Sequence, residues 1–459
     1  MPRRFYSNTD RDGSYDTSRK RPAYLLLLKD IKILGWAMYD WANSAFSTIV
    51  ISAFLGPYLS HVIKSRGGFE LFSTSIEADS VYPFFVSVSV ALQLFFLPVI
   101  GAITDLQGNR KTILVILASI GSVCTCMLGI LDFFCRDVPL EWMLFIDGVL
   151  FVLANLFFGA SVVLYNSFLS DIAPYWLRDR ISSLGWATGY LGGGLALGLC
   201  LPLLFFWGQA SGVRASFVLA GLWWLIFTLI FPARMLKDTP KGIKAVNFKE
   251  AVTIGMKLPF STLKQMRKKR PDALRFLLAY FFYNDGVQTV IAVASIFAVS
   301  TLKIKEDILL FLILFVQFIA VFGSVAFGWL GERLGTKRAI IFSLLGWIII
   351  LFYAFGALND LKGLFLLAFF IALVLGGTQA LSRSLFSQLV PASSQAEYFG
   401  FYEVSEKGSS WLGPLVFAVT MQLSGNSRIA LASISVFFVI GMALLVRVKL
   451  VEDNRAESV

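Results

Sequence analysis

Hydrophobic residues fall along this chain in long blocks separated by short polar stretches. The blocks lie at roughly 33–60, 81–103, 112–132, 142–168, 181–207 and 214–235, and then at roughly 274–300, 307–330, 338–358, 362–388, 398–423 and 428–447. Each matches or exceeds the ~20 residues that a helix needs to cross a bilayer. The pattern predicts an all-α polytopic membrane protein with twelve transmembrane helices.

The first block is interrupted by polar residues. Trp36 to Thr48 reads WAMYDWANSAFST and places Asp40, Asn43, Ser44 and Ser47 among apolar neighbours. These four follow i, i+3, i+4, i+7, so a helix sets them in one stripe. Water or protein must face that stripe. An ionisable group inside a span marks a functional site by default; the competing reading is an aspartate satisfied by neighbouring helix ends, for packing alone.

The chain divides into a basic N-terminal tail (1–32), a six-helix half (33–236), a basic central loop (237–273), a second six-helix half (274–449) and a tail (450–459). The halves carry matching motifs. Gly101, Asp105, Gly108, Arg110 and Lys111 recur at identical spacing as Gly328, Glu332, Gly335, Lys337 and Arg338. Asn166-Ser167-Phe168-Leu169-Ser170 pairs with Arg383-Ser384-Leu385-Phe386-Ser387, each followed by a proline, Pro174 and Pro391. Gly185, Gly193 and Gly198 answer to Gly400, Gly408 and Gly413, and Tyr39-Asp40 to Tyr283-Asn284. Repeats in this order characterise secondary transporters, whose site lies where the repeats meet.

Composition agrees with the blocks. The chain is 57 % hydrophobic and 15 % charged, against about 25 % charged in soluble proteins. Its net charge of +11 would fit a nucleic-acid binder, but the charge is distributed by loop: 30 of the 40 Lys and Arg lie on the side of the termini and 8 on the other. The positive-inside rule makes both termini cytoplasmic. No nucleic-acid partner is needed, because the cluster Arg267, Lys268, Lys269 and Arg270 suits anionic lipid, through a short surface helix. The first 32 residues lack the apolar core of a secretory signal. Cys124, Cys126, Cys135 and Cys200 form no disulfide or metal pattern, and His61 is the single histidine, so no metal site is expected. Without a P-loop, HExxH or GxSxG, neither an enzyme nor an ATP-driven pump is indicated, and no cofactor is implied.

The paired loops at 101–111 and 328–338 resemble the signature of the major facilitator superfamily and its repeat. Leu106 and Asn109 stand where that signature has basic residues, and Glu332 stands where it has aspartate. YDWANSAF at 39–46, FFYNDGVQT at 281–289, SRSLFSQLVP and EYFGFYEVSEKGSSWLGP within 382–414 resemble its vacuole-effluxer-like permease branch, related to the autophagy-linked vacuolar amino-acid exporter of fungi. The resemblance implies the major facilitator fold, with two halves related by a pseudo-two-fold axis. The short chain, without large lumenal insertions, points to a bacterial member in the cytoplasmic membrane, or the vacuolar membrane if the source is eukaryotic, and a monomer is expected.

In that fold spans 1, 4, 7 and 10 line the cavity. The polar residues there are Tyr39, Asp40, Asn43 and Ser47 on span 1, Asn155 and Asn166 on span 4, Asn284, Asp285 and Gln288 on span 7, and Gln379, Ser382 and Arg383 on span 10. A zwitterion would be held with its carboxylate on Arg383 and its ammonium on Asp40 or Asp285. Alternatively, Arg383 pairs internally with a carboxylate and neutralises buried charge. Glu403, Glu406, Lys407 and Ser410 share one face of span 11; Glu403 and Lys407 are spaced for a salt bridge, and the face is also placed to meet Asp105 as a latch. The gating set is thus Asp105, Gly108, Arg110, Lys111, Glu332, Gly335, Lys337, Arg338, Glu403, Glu406 and Lys407.

These readings predict a secondary active transporter of a small polar organic solute, amino acids first, working by alternating access and driven by a proton or solute gradient. A drug or lipid exporter of the same fold is the alternative. A non-transporting receptor or scaffold is the alternative of another class.

Overall fold

Long apolar stretches with few breakers wind into helices, and the computed structural model is helical almost throughout. It describes residues 24–71, 74–134, 139–238, 248–300 and 306–450; most of both expected tails, and 239–247 of the central loop, lie outside the described residues. Helix α1, Ile31–Ser65, begins where the Asp30 carboxylate accepts the Lys32 N–H at 2.9 Å, a cap for one of the unpaired donors of a helix start. Its middle, Phe46–Phe54, is a π-helix that takes in Ser47, the last member of the polar stripe. A small hairpin then pairs Phe69–Leu71 with Thr74–Ile76.

Helices α2 (Ala78–Gln107), α3 (Arg110–Phe134) and α4 (Leu140–Ser167) follow. The long run Arg178–Ile230 folds back on itself at Gly208, whose φ of 76° an L side chain rarely adopts. That turn separates α5 (178–207) from α6 (209–230). In the central loop, α7 spans Phe248–Lys269. The second half comprises α8 (Pro271–Ser300), α9 (Glu306–Leu334), α10 (Thr336–Gly356) and α11 (Leu361–Leu389). It ends with α12 (Gln395–Gly408), α13 (Leu412–Ser424) and α14 (Ser427–Val446).

Among the described residues ten helices are long and apolar enough to cross a membrane. The run Tyr175–Met235 is counted once among them although it doubles back at Gly208. The expected span at 398–423 is not among them, because α12 and α13 are interrupted at 409–411 and α12 carries Glu397, Glu403, Glu406 and Lys407. Dividing the first at its turn and joining the second across its break makes twelve passes.

The outward surface is apolar: Phe84, Phe95, Phe205, Phe322 and Ile349 are all more than half exposed, as suits lipid contact. Polar groups are turned inward, where Asp285, Ser324 and Ser382 are fully buried. Between the halves α2 and α12 touch backbone to backbone. A Cβ on Gly101 would stand 2.3 Å from the Ala396 carbonyl oxygen, and one on Gly400 would stand 2.7 Å from the Pro98 Cα. Small residues permit this approach, and dispersion rather than hydrophobicity rewards it inside a membrane. Gly101→Val should therefore force the two helices apart and lower stability by about 1–3 kcal/mol. Thermal unfolding of the purified protein in detergent measures it, and an unchanged midpoint would remove this contact from the argument.

Candidate functional site

The carboxylate of α1 and the guanidinium of α11 meet between the halves. Arg383 Nη1 lies 3.1 Å from Asp40 Oδ2. Asp40 stands nine residues into α1, about 13 Å by helix rise, and so well inside the bundle. The Tyr165 hydroxyl of α4 donates to the same Oδ2 at 2.6 Å. Arg383 also donates through Nη1 to Asn166 Oδ1 at 3.2 Å, through Nε to Ser182 Oγ at 2.9 Å and through Nη2 to the Ser182 carbonyl at 2.7 Å. Aromatic rings of Trp36, Tyr165 and Trp186 surround its Cζ at 4.8, 5.3 and 5.4 Å. Such rings attract a cation through their quadrupole, most strongly when water is excluded. Gly185 makes the room: a Cβ there would lie 2.7 Å from Trp36 and 2.8 Å from Arg383 Nη2.

Arg383 is 2 % exposed, whereas the Asp40 side chain retains 15 %. The arginine is therefore the enclosed partner and the aspartate the accessible one. Of the two sequence readings of Arg383, this geometry displays the internal ion pair.

A second branch runs through Asn166. Its Nδ2 donates to Glu403 Oε1 at 2.8 Å while its Oδ1 accepts from Arg383, so one amide links α12 to the charge pair. Lys407 pairs with its neighbour Glu406 at 3.4 Å, not with Glu403 as the i, i+4 spacing predicted. The reason is geometric: Glu403 is turned into the interface toward Asn166, with 1 % exposure. Glu406 also accepts from the Tyr280 hydroxyl at 2.7 Å.

The other candidates divide by accessibility. Ser47, Gln288 and Gln379 are half-buried, and Gln379 accepts from the Tyr190 hydroxyl of the opposite half. Asn43 is buried, with its amide nitrogen unbonded. Tyr39 is fully buried with its ring 5.2 Å from that of Tyr165, so it packs behind the site. Asn284 donates to the Glu406 carbonyl at 3.1 Å. Asp285 is fully buried and accepts the Gly413 N–H at 2.8 Å, the position of a carboxylate that steadies the start of α13. Asn155, expected beside Asn166, bonds Ser89 of α2 at 2.7 Å, away from the pair.

The repeated loops clasp opposite halves. Asp105 Oδ2 accepts the Glu397 N–H at 3.0 Å, placing a carboxylate at the N-terminus of α12. At the second repeated loop Glu332 Oε2 accepts from Arg180, at the start of α5 in the first half, at 2.6 Å. Beside it Asp179 accepts from Thr336 at 2.8 Å and from Ser384 at 2.5 Å. The basic members of the loops bind within their own half or, through the Lys111 backbone, to the central segment. Arg110 pairs with Asp171, the Lys111 N–H reaches Asp238 at 2.6 Å, and Lys337 donates to the Val446 and Val448 carbonyls at 2.8 and 2.6 Å. Gly108 and Gly335 take positive φ at the helix junctions, and Arg338 is exposed.

Trp36, Tyr165, Trp186, Ser182, Asp179, Arg180 and Gln317 were not singled out from sequence. Gln317 bonds Thr48 across the halves at 2.6 Å. For Arg180 the available signal was the repeat itself, since it stands six residues after Pro174 as Glu397 stands six after Pro391.

Two helical halves joined by buried charge and clasped at one end define a membrane transporter of the major facilitator type. The chain belongs to the vacuole effluxer Atg22-like family, whose model matches residues 29–176 and 171–458. It is 31 % identical to the uncharacterized MFS-type transporter YxiO of Bacillus subtilis (strain 168), over 90 % of this chain and 93 % of that protein. It is 24 % identical to Autophagy-related protein 22-2 of Aspergillus clavatus, over 88 % of this chain and 87 % of that one. The fold is shared with the proton:xylose symporter XylE bound to 6-bromo-6-deoxy-D-glucose, with a TM-score of 0.70, 14 % identity and coverage of 95 % and 99 %. It is also shared with the human organic anion transporter MFSD10, with a TM-score of 0.67, 16 % identity and coverage of 93 % and 100 %. The protein is thus a multi-pass membrane transporter and not an enzyme.

Removing one partner of a buried pair strands the other charge at a cost of about 3–5 kcal/mol, whereas replacing both avoids that penalty. Arg383→Met should accordingly destabilise the protein more than Arg383→Met combined with Asp40→Asn. Thermal unfolding of both variants checks this order, and a double variant worse than the single would contradict it.

Proposed function

We propose that the protein is a secondary active transporter of a small polar organic solute, amino acids first, working by alternating access on a proton or solute gradient. The observation that carries this reading is the Asp40–Arg383 pair, which joins the halves inside the bundle and has one accessible member. A conformation that opens the clasped end must separate α1 from α11 and so part the two charges. A zwitterion supplies what each then lacks, an ammonium for Asp40 and a carboxylate for Arg383. A proton on Asp40 would likewise neutralise one side. Asn43, Ser47, Asn284, Gln288 and Gln379 fill out the polar wall, while Tyr39 and Asp285 support it from behind.

In this reading the clasped end, with both termini and the basic central segment, faces the cytoplasm and its anionic lipid, and the membrane is the bacterial cytoplasmic membrane. The family description, a vacuole effluxer, supports movement of solute out of a compartment.

One observation favours the second reading, export of an apolar drug or lipid. A hollow of about 660 Å³ is lined by Gly129, Leu203, Trp207, Arg214, Leu219 and Phe227. It lies within the first half, however, and not between the halves where alternating access operates.

Thermal stabilisation across a panel of amino acids tests the cargo. At a hundredfold excess over Kd a true ligand should add about 2.7 kcal/mol of stability. In proteoliposomes Asp40→Asn should abolish flux driven by a proton gradient while the protein remains folded. Normal coupled flux in that variant would sink the role given to Asp40, and stabilisation only by apolar dyes, insensitive to Arg383→Ala, would transfer the argument to the exporter.

A further inference from the structure

Helix α7 presents three distinct stripes. Gly255, Pro259, Thr262 and Met266 are buried and follow i, i+4, i+7, i+11, so one face is seated on the bundle. Beside it Met256, Phe260 and Leu263 are 61, 78 and 45 % exposed and follow i, i+4, i+7. Arg267 continues that stripe, Lys257, Lys264 and Lys268 are exposed on the remaining surface, and among the described residues none of these four is in an ion pair. An exposed apolar stripe flanked by unspent positive charge is complementary to one environment, the acyl boundary beneath anionic headgroups.

The seat of α7 belongs to both halves. The Cβ position of Gly255 faces Ile103 of α2, in the first half. The Thr262 hydroxyl bonds Glu397 Oε1 of α12, in the second half, at 2.5 Å. The backbone N–H of that same Glu397 is the one held by Asp105. The docking surface therefore exists only while α2 and α12 are clasped, and whatever pins α7 favours the clasped state by its differential affinity.

We propose that anionic phospholipid is a regulator of the gate: headgroups bound by Lys257, Lys264, Arg267 and Lys268, with Met256, Phe260 and Leu263 in the acyl boundary, seat α7 and thereby hold the Asp105–Glu397 latch shut. The charge selects phosphatidylglycerol-type lipids over zwitterionic ones. The inference stands independently of which solute is carried.

Hydrogen–deuterium exchange of the full-length protein in nanodiscs tests it, read at the peptide containing Glu397. Exchange in mixed phosphatidylcholine–phosphatidylglycerol discs should be about tenfold slower than in phosphatidylcholine alone, since each basic residue near an anionic surface contributes appreciably. Combined Lys257→Gln, Lys264→Gln, Arg267→Gln and Lys268→Gln should leave exchange in phosphatidylcholine unchanged and abolish the difference between the discs. Thr262→Val should abolish the difference with all four charges in place, because it cuts the link from α7 to Glu397. Equal protection of the wild type in the two discs, or a lipid effect that survives the quadruple substitution, would overturn lipid control; an effect that survives Thr262→Val would overturn this route of transmission.

Discussion

A guanidinium enclosed by three aromatic rings inside a membrane bundle requires a carboxylate, and Arg383 finds it on the other half. Desolvating two ions is expensive, and their attraction offsets the cost only when the remaining donors are also satisfied. Here Ser182 and Asn166 take three of those donors, while Tyr165 fills a site on the carboxylate. Every group in this set comes from a helix that must be in register with the others: α1, α4, α5 and α11. The pair consequently ties the position of four helices to one contact distance.

The clasped end makes that dependence mechanical. Asp105 holds the start of α12 and Arg180 with Asp179 holds the loop between α9 and α10, so each repeated loop grips the opposite half. Glu403 sits further along α12 and reaches Asn166, which reaches Arg383. Displacement of α12 is thereby felt at the charge pair through one amide.

Much of this was legible in the chain before any coordinates. Block lengths gave the number of passes, and the loops matched at 101–111 and 328–338 gave the halves. Asp40 and Arg383 both stood out as charges in apolar runs, but composition could not say that each was the other's partner. That outcome depends on the rotation of α1 against α11, which periodicity leaves open. The aromatic box was hidden for a different reason: in a chain with 44 Phe, 14 Tyr and 11 Trp, three more rings carry no signal. Glu403 and Lys407 show the limit of local rules, since the i, i+4 spacing permitted a salt bridge and the cross-half demand of Asn166 overrode it. The break at 409–411 did leave a trace, Gly408-Ser409-Ser410 ahead of Gly413-Pro414, but block length alone joined the two sides into one span.

The repeat is least symmetric where the chemistry is. Tyr39-Asp40 corresponds to Tyr283-Asn284, and the acid of the second half lies one residue later, at Asp285. One position turns a side chain by about 100° around a helix. Asn284 accordingly faces the Glu406 carbonyl while Asp285 is rotated into the packed interior, onto the Gly413 N–H. A carboxylate at 284 would have faced the Glu406 carbonyl, one acceptor against another. The one-residue offset removes that conflict: it leaves Asp40 as the accessible acid at Arg383 and converts its near-counterpart into a support for the start of α13. Such a division suits a carrier in which one half supplies the mobile charge and the other the fixed one.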